Sequence, residues 1–250
     1  MQSPYLDLHL LDRFRRAAPR AIGEHNARRR FPARLNRYLI SSSYLFEEAQ
    51  RRGRPLRVCE IGIDRGLMPR FVAEAAQHFG LEKTSVVREW IGVDIDVTRL
   101  THWDCYDQLL SLDVQREAAP AGCDVYILLH VLEHLHDPLS TMQRLAAAAA
   151  GQTLIVVGVP SQPHLLAGVW ERALRRRPNG NGHVSAFSRT RLLKLLGDLN
   201  LRIEDERAGY VLRASGRALE DSAWWQSWNL SLGRQFPGFP GEYLVCARKA

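Results

Sequence analysis

Leu56-Arg-Val-Cys-Glu-Ile-Gly-Ile-Asp-Arg-Gly66 reads as an apolar run that ends on an acidic residue, Glu60, followed by two glycines four apart, Gly62 and Gly66. A short apolar run bounded by glycines is a buried strand, and the glycines let the chain turn sharply and approach a ligand closely as it enters a helix. The dinucleotide-binding fingerprint needs glycines at its first, third and sixth positions. Counting from Gly62, this chain offers Asp64 and Leu67 instead. A carboxylate in the turn repels a pyrophosphate but tolerates a ligand that carries positive charge.

Outward from this stretch the same alternation repeats. A helical stretch over Pro69 to Phe79 leads to a second strand, Trp90-Ile-Gly-Val-Asp-Ile-Asp96; Cys123 to His130 and Thr153 to Val159 are two more, with a helix between them. Asp137-Pro138 is an N-cap followed by proline at the first helical position, and Gly151 stands where that helix should stop. Ser188 can cap a helix carrying Leu192, Leu193, Leu195, Leu196 and Leu199, after which Leu201 to Leu212 and Glu242 to Ala247 read as the last two strands. Short apolar strands separated by helices indicate a mainly parallel sheet covered on both faces, an α/β doubly wound fold. We place this domain at 55–250, with an N-terminal helical extension or cap over 1–54 and an aromatic-rich insertion at about 214–241. No internal repeat is visible.

With 250 residues and 46% hydrophobic content the chain can bury one substantial core. The net charge of +7 comes mostly from arginine, clustered at Arg13 to Arg37, Arg51 to Arg57 and Arg172 to Arg177. We read it as a solvated basic surface, with peripheral membrane contact open to the basic N-terminus and no nucleic-acid partner expected. Cys59, Cys105, Cys123 and Cys246 have neither CxxC pairing nor metal-ligand spacing, which suits a reduced, cytoplasmic protein. No secretory or membrane-spanning stretch is present.

Three carboxylates stand at strand ends in chain order. Asp94, with Asp96 in reserve, can accept bonds from both hydroxyls of a ribose, and Asp113 in Leu112-Asp-Val-Gln115 can accept from an adenine amino group. Each can equally cap the element that follows. The most specific stretch is Cys123-Asp-Val-Tyr-Ile-Leu-Leu-His-Val-Leu-Glu-His-Leu-His-Asp-Pro138. Together with Val58 to Gly66, Gly92 to Asp96, Leu154 to Pro160 and Gly182-His-Val-Ser-Ala-Phe-Ser188, it resembles the class I S-adenosylmethionine-dependent methyltransferase superfamily. It is most similar to the branch with a Leu-Glu-His fourth motif, found in ubiquinone-pathway O-methyltransferases and natural-product or glycan methyltransferases. The resemblance covers about Leu56 to Asn200 and, more loosely, the last two strands.

That resemblance implies a seven-stranded Rossmann-like sheet with its last strand antiparallel, S-adenosylmethionine as cofactor, and methyl transfer to a small-molecule or glycan acceptor, at oxygen. It implies that Glu60, Gly62 and Gly66 line the methionine portion, Asp94 the ribose and Asp113 the adenine. The chain departs from the family at Asp64, where a glycine is usual, and in the long separation from Gly62 to Asp94, ascribed to an insertion around Leu81 to Glu89. His130, at the end of the fourth strand, and His134, one helical turn beyond, are the candidate catalytic bases, against packing or capping roles. We expect no metal. The alternative is a divalent-metal site built from His130, Glu133, His134 and His183, resembling metal-dependent small-RNA 3′-end 2′-O-methyltransferases. The rival of another class is a pseudo-methyltransferase that binds without turnover. Trp224, Trp225 and Trp228 are spaced to share one apolar helix face in the insertion, either as core or as part of an acceptor pocket.

Overall fold

The computed structural model describes residues 7, 9–14, 16, 32–99, 103–176, 182–212, 218–239 and 241–250. The basic stretch 17–31 and the start of the insertion at 213–217 lie outside the described residues. The described chain forms a seven-stranded sheet whose strands are β1 (Leu56–Ile61), β2 (Val87–Asp94), β3 (Gln108–Ser111), β4 (Val125–Leu129), β5 (Leu154–Ser161), β6 (Leu201–Tyr210) and β7 (Gly241–Lys249). Their order is β3-β2-β1-β4-β5-β7-β6, with β7 inserted antiparallel between β5 and β6 and the first five paired in parallel. The expected fold is therefore observed. The order reverses between β1 and β4, and open sheets of this kind bind ligands at the carboxyl edge beside such a reversal.

The helices sort by face. On one side α1 (Pro32–Arg52), α2 (Leu67–His78) and α6 (Ala223–Gln235) close a core containing Leu39, Phe46, Phe71, Trp90 and Leu230. On the other, α3 (Pro138–Ala148) and α5 (Arg189–Asp198) cover Tyr126, Met142, Phe187, Leu192 and Leu196. β4 and β5 are buried almost throughout because both of their faces are covered, which is why their sequences run apolar instead of alternating. Asp137 caps α3 by accepting from Ser140 N at 3.0 Å, and Ser188 caps α5 by accepting from Arg191 N at 3.2 Å. α4 (His164–Arg176) lies between β5 and α5.

Several boundaries move. α3 stops at Ala148, since Ala149 turns extended before Gly151 is reached. β2 begins at Val87, so the expected insertion shrinks to a single turn of 3-10 helix at Lys83–Ser85 and its flanks. The tryptophans lie on one side of α6, but that side is not uniformly covered. Trp225 stacks on Trp228 with centroids 5.2 Å apart, while Trp224, about 100° round the helix from Trp225, stands at the edge of that side and is 66% exposed.

α1 belongs to the core and is fastened to the sheet at both edges. Towards one end Arg37 Nε lies 2.5 Å from Glu242 of β7. Towards the other, buried Arg248 of β7 binds Glu48 at 2.9 Å and Glu204 at 2.5 Å, and Arg52 reaches Asp124 at 2.7 Å. Burial opposes the charge on Glu48, but hydrogen bonds from Arg51, Arg248 and Arg52 outweigh it and draw the carboxyl down to about 2. Among the described residues no helix is long and apolar enough to cross a membrane.

Candidate active site

The turn after β1 is held in an unusual backbone state. Gly62, Asp64 and Gly66 all take positive φ, at 75°, 46° and 72°, and Gly66 is the N-cap of α2. Aspartate is among the few side-chain residues that enter the left-handed region at modest cost, so Asp64 supplies the conformation that glycine usually supplies there. Gly62 is required for a second reason: a Cβ on it would lie 2.4 Å from Val131 Cγ2, so the turn and the end of β4 touch through that missing methyl. The Asp64 amide donates to Asp94 Oδ2 at 3.2 Å and the Asp96 amide to Oδ1 at 3.2 Å. Asp94 thus ties the first turn to the tip of β2, with Asp96 joined to it as a donor through its amide.

Glu60 lies beneath the turn. Its Oε2 accepts from Trp90 Nε1 at 3.1 Å and from Tyr106 at 2.9 Å, and the residue is 5% exposed. Burial pushes its carboxyl up to about 8, the two hydrogen bonds pull it down, and the nearby Asp94 charge adds to the rise. Asp113, just past β3, accepts from Gln115 N at 2.9 Å and faces Arg116 at 3.5 Å, so it caps its own turn. β3 pairs Ser111 with Asp94, which places Asp113 at the strand end next to the Asp94 tip.

His130 ends β4 with φ of 60°, a strained state for a residue other than glycine, and its amide donates to Gly158 O at 2.8 Å. Both ring nitrogens face buried carboxylates: Nδ1 is 2.9 Å from Glu133 and Nε2 is 2.7 Å from Glu242. Burial and the Arg37 charge lower its proton affinity, but the two carboxylates prevail and hold it above the ordinary histidine range. Glu242 and Arg37 did not emerge from the sequence, because β7 and α1 bring them from more than ninety positions away. The one signal was an acidic residue opening an otherwise apolar strand. Gly209 makes room for this carboxylate, since a Cβ there would meet Glu242 Oε2 at 2.4 Å.

His130 and His134 do not act as one helix face. Residues Leu132–His134 form a 3-10 turn, and His134 turns outward, with Nδ1 3.3 Å from Gly182 O and its ring 4.8 Å from that of His183. Val184 and Ser185 amides donate to Glu133 O at 2.8 and 3.0 Å, which pins the 182–188 segment to this turn. Glu133, His134 and His183 present ligand atoms within 4.8 Å of one another, whereas His130 is committed to the two glutamates. Of the four residues of the alternative metal site, Glu133, His134 and His183 converge, while His130 touches Glu133 but has both ring nitrogens engaged by carboxylates.

A family model described as a methyltransferase domain matches residues 24–206. The chain belongs to this family. Solved structures agree in fold. Magnesium protoporphyrin IX methyltransferase from Synechocystis PCC 6803 with bound SAH superposes with a TM-score of 0.56 at 16% identity, over 99% of this chain and 97% of that one. The 1,6-didemethyltoxoflavin-N1-methyltransferase of Burkholderia thailandensis gives 0.55 at 14%, over 100% and 92%. The N-methyltransferase NodS of Bradyrhizobium japonicum WM9 gives 0.50 at 14%, over 84% and 94%. No curated protein matches the sequence.

Proposed function

We propose that this methyltransferase uses S-adenosylmethionine to methylate a small-molecule or glycan acceptor at oxygen, as the Leu-Glu-His branch of its superfamily suggests. The observation that carries the cofactor assignment is the turn Gly62–Gly66, left-handed at three alternate residues and bonded through the Asp64 amide to Asp94. Its donor set suits the ligand: Asp64 and Asp94 offer negative charge to an ammonium and a sulfonium, and would oppose a pyrophosphate. In this reading Asp94 accepts from the ribose hydroxyls, Asp113 from the adenine amino group, and Gly62 and Gly66 allow close approach of the methionine portion. Glu60 acts from below, shaping the turn through Trp90 and Tyr106. S-adenosylmethionine supplies a methyl group already activated on sulfur, so the chain's task is chiefly alignment.

The acceptor side lies at the end of β4. His130, braced by Glu133 and Glu242, presents a fixed polar wall, and His134, exposed beside it, has Nε2 available to take a hydroxyl proton. Calorimetry with S-adenosylmethionine and its demethylated product tests the cofactor assignment. Turnover on fractionated extracts then separates an enzyme from a binding module, since binding without any product would favour the pseudo-methyltransferase.

A second reading draws on the convergence of Glu133, His134 and His183, two imidazoles and a carboxylate that suit a divalent transition metal. It corresponds to metal-dependent RNA 2′-O-methylation. Activity that survives thorough chelation supports the first reading, and loss restored by Mn²⁺ supports the second.

A further inference from the structure

α4 carries an apolar face that the described residues leave largely uncovered. Ala167 and Leu174 are buried and anchor the helix, but Leu165 is 87% exposed, Leu166 48%, Val169 61% and Trp170 51%. These four fall at i, i+1, i+4 and i+5, one continuous stripe along the helix. Arg172 and Arg176 stand three and seven positions after Val169, so they extend the same stripe by one and two turns. Both are exposed and neither has an ion-pair partner among the described residues. The helix's only acidic residue, Glu171, is turned to the opposite flank, where it pairs with Arg175 at 2.8 Å and with Arg191 of α5. His164 Nδ1 lies 3.2 Å from the Ser188 hydroxyl that caps α5, which fixes the start of α4 as well. The stripe is thus presented by a helix tied down at its start by His164 and along its opposite flank by Glu171.

From this geometry we infer that α4 is a peripheral membrane anchor that lies on an anionic lipid surface. Leucine, valine and tryptophan side chains flanked by arginines, with no carboxylate on the same face, match the chemistry of the headgroup boundary: apolar groups enter the acyl edge, tryptophan sits at the interface, and the cations meet lipid phosphates. A second copy of the chain fits less well. Four side chains on one helix offer roughly half of the ~800 Å² that each partner buries in a standard interface, and a second copy brings no carboxylate on this stripe to meet Arg172 and Arg176. The net charge of +7 favours the same partner over long range. α4 leaves β5 close to the carboxyl edge of the sheet, so docking turns the acceptor side towards the bilayer. This inference concerns α4 alone and does not rest on the assignment of the methyl acceptor.

The test is cosedimentation of the full chain with phosphatidylcholine vesicles, with and without phosphatidylglycerol. We expect binding to the anionic vesicles that weakens as salt is raised. Arg172→Gln/Arg176→Gln should weaken partitioning about thirtyfold, the loss of two interfacial cations. Leu165→Ser/Val169→Ser should abolish binding while the circular dichroism melt stays unchanged, because both side chains are already exposed. Wild-type protein that ignores anionic vesicles overturns the inference, as do α4 variants that bind like wild type. A wild-type dimer that the serine variant splits into monomers would assign the stripe to a self-interface and overturn it too.

Discussion

Replacing Glu60 by glutamine should change how stability depends on pH. In the folded chain its carboxyl holds a proton up to about 8, against an ordinary value of 4.5, chiefly because it is buried. Between these values the native state keeps a proton that the unfolded chain has released, so the native state binds more protons and stability falls as pH rises. The contribution is fully present below the ordinary value and is lost by the time pH passes the folded one. At 1.36 kcal/mol per unit of pKa, the shift corresponds to a penalty on the order of 3 kcal/mol at neutral pH and up to ~5 kcal/mol in mild alkali. Glutamine has nearly the same shape, and its carbonyl oxygen can accept from Trp90 and Tyr106 as Glu60 Oε2 does. Urea unfolding of both proteins at about pH 5 and about pH 8.5 should show Glu60→Gln gaining stability over wild type as pH rises, by a few kcal/mol. Parallel profiles, or a glutamine variant less stable by the same amount at both values, would refute the assignment of a buried protonated carboxyl.

Three further outcomes follow from the same geometry. Asp94→Ala should weaken S-adenosylmethionine binding by about 1–3 kcal/mol in calorimetry, through lost ribose bonds and a loosened first turn. Gly62→Ala must place a methyl 2.4 Å from Val131 at a φ of 75°, so we expect a loss of roughly 2–4 kcal/mol in chemical unfolding and impaired cofactor binding in the folded fraction. Trp225→Ala should cost about 1.5–3 kcal/mol for lost stacking and burial, while Trp224→Ala should leave the melting temperature nearly unchanged; if Trp224 instead contacts the acceptor, its replacement raises KM.

The sheet was legible because its central strands are covered on both faces and therefore apolar throughout, and because glycines, Asp137 and Ser188 punctuate the ends of their elements. Strand-end carboxylates were legible as positions, but their partners were not. Glu60 accepts from Trp90 and Tyr106, and Asp113 from Gln115 in its own turn, contacts that leave no period in the sequence. The cluster around His130 was half visible: His130 and Glu133 lie in one motif, whereas Glu242 and Arg37 come from the opposite ends of the chain. Spacing of three and four suggested one helix face for His130, Glu133 and His134, but the left-handed residue at His130 and the 3-10 turn after it send the two histidines apart. Exposure of the α4 stripe could not be read either, because an amphipathic pattern does not say which apolar residues the rest of the fold will cover.

α1 joins β7 at both of its ends, through Arg37 with Glu242 and through Glu48 with Arg248. The partners in each pair lie about two hundred positions apart, and exchanging one alone removes one of the opposite charges that hold its buried partner, leaving Glu242 with His130 and Arg248 with Glu204. Homologues should therefore change residues 37 and 242 together, and 48 and 248 together. A chimaera that takes its first fifty residues from a relative lacking either pair should lose stability, and regain it when β7 is exchanged as well.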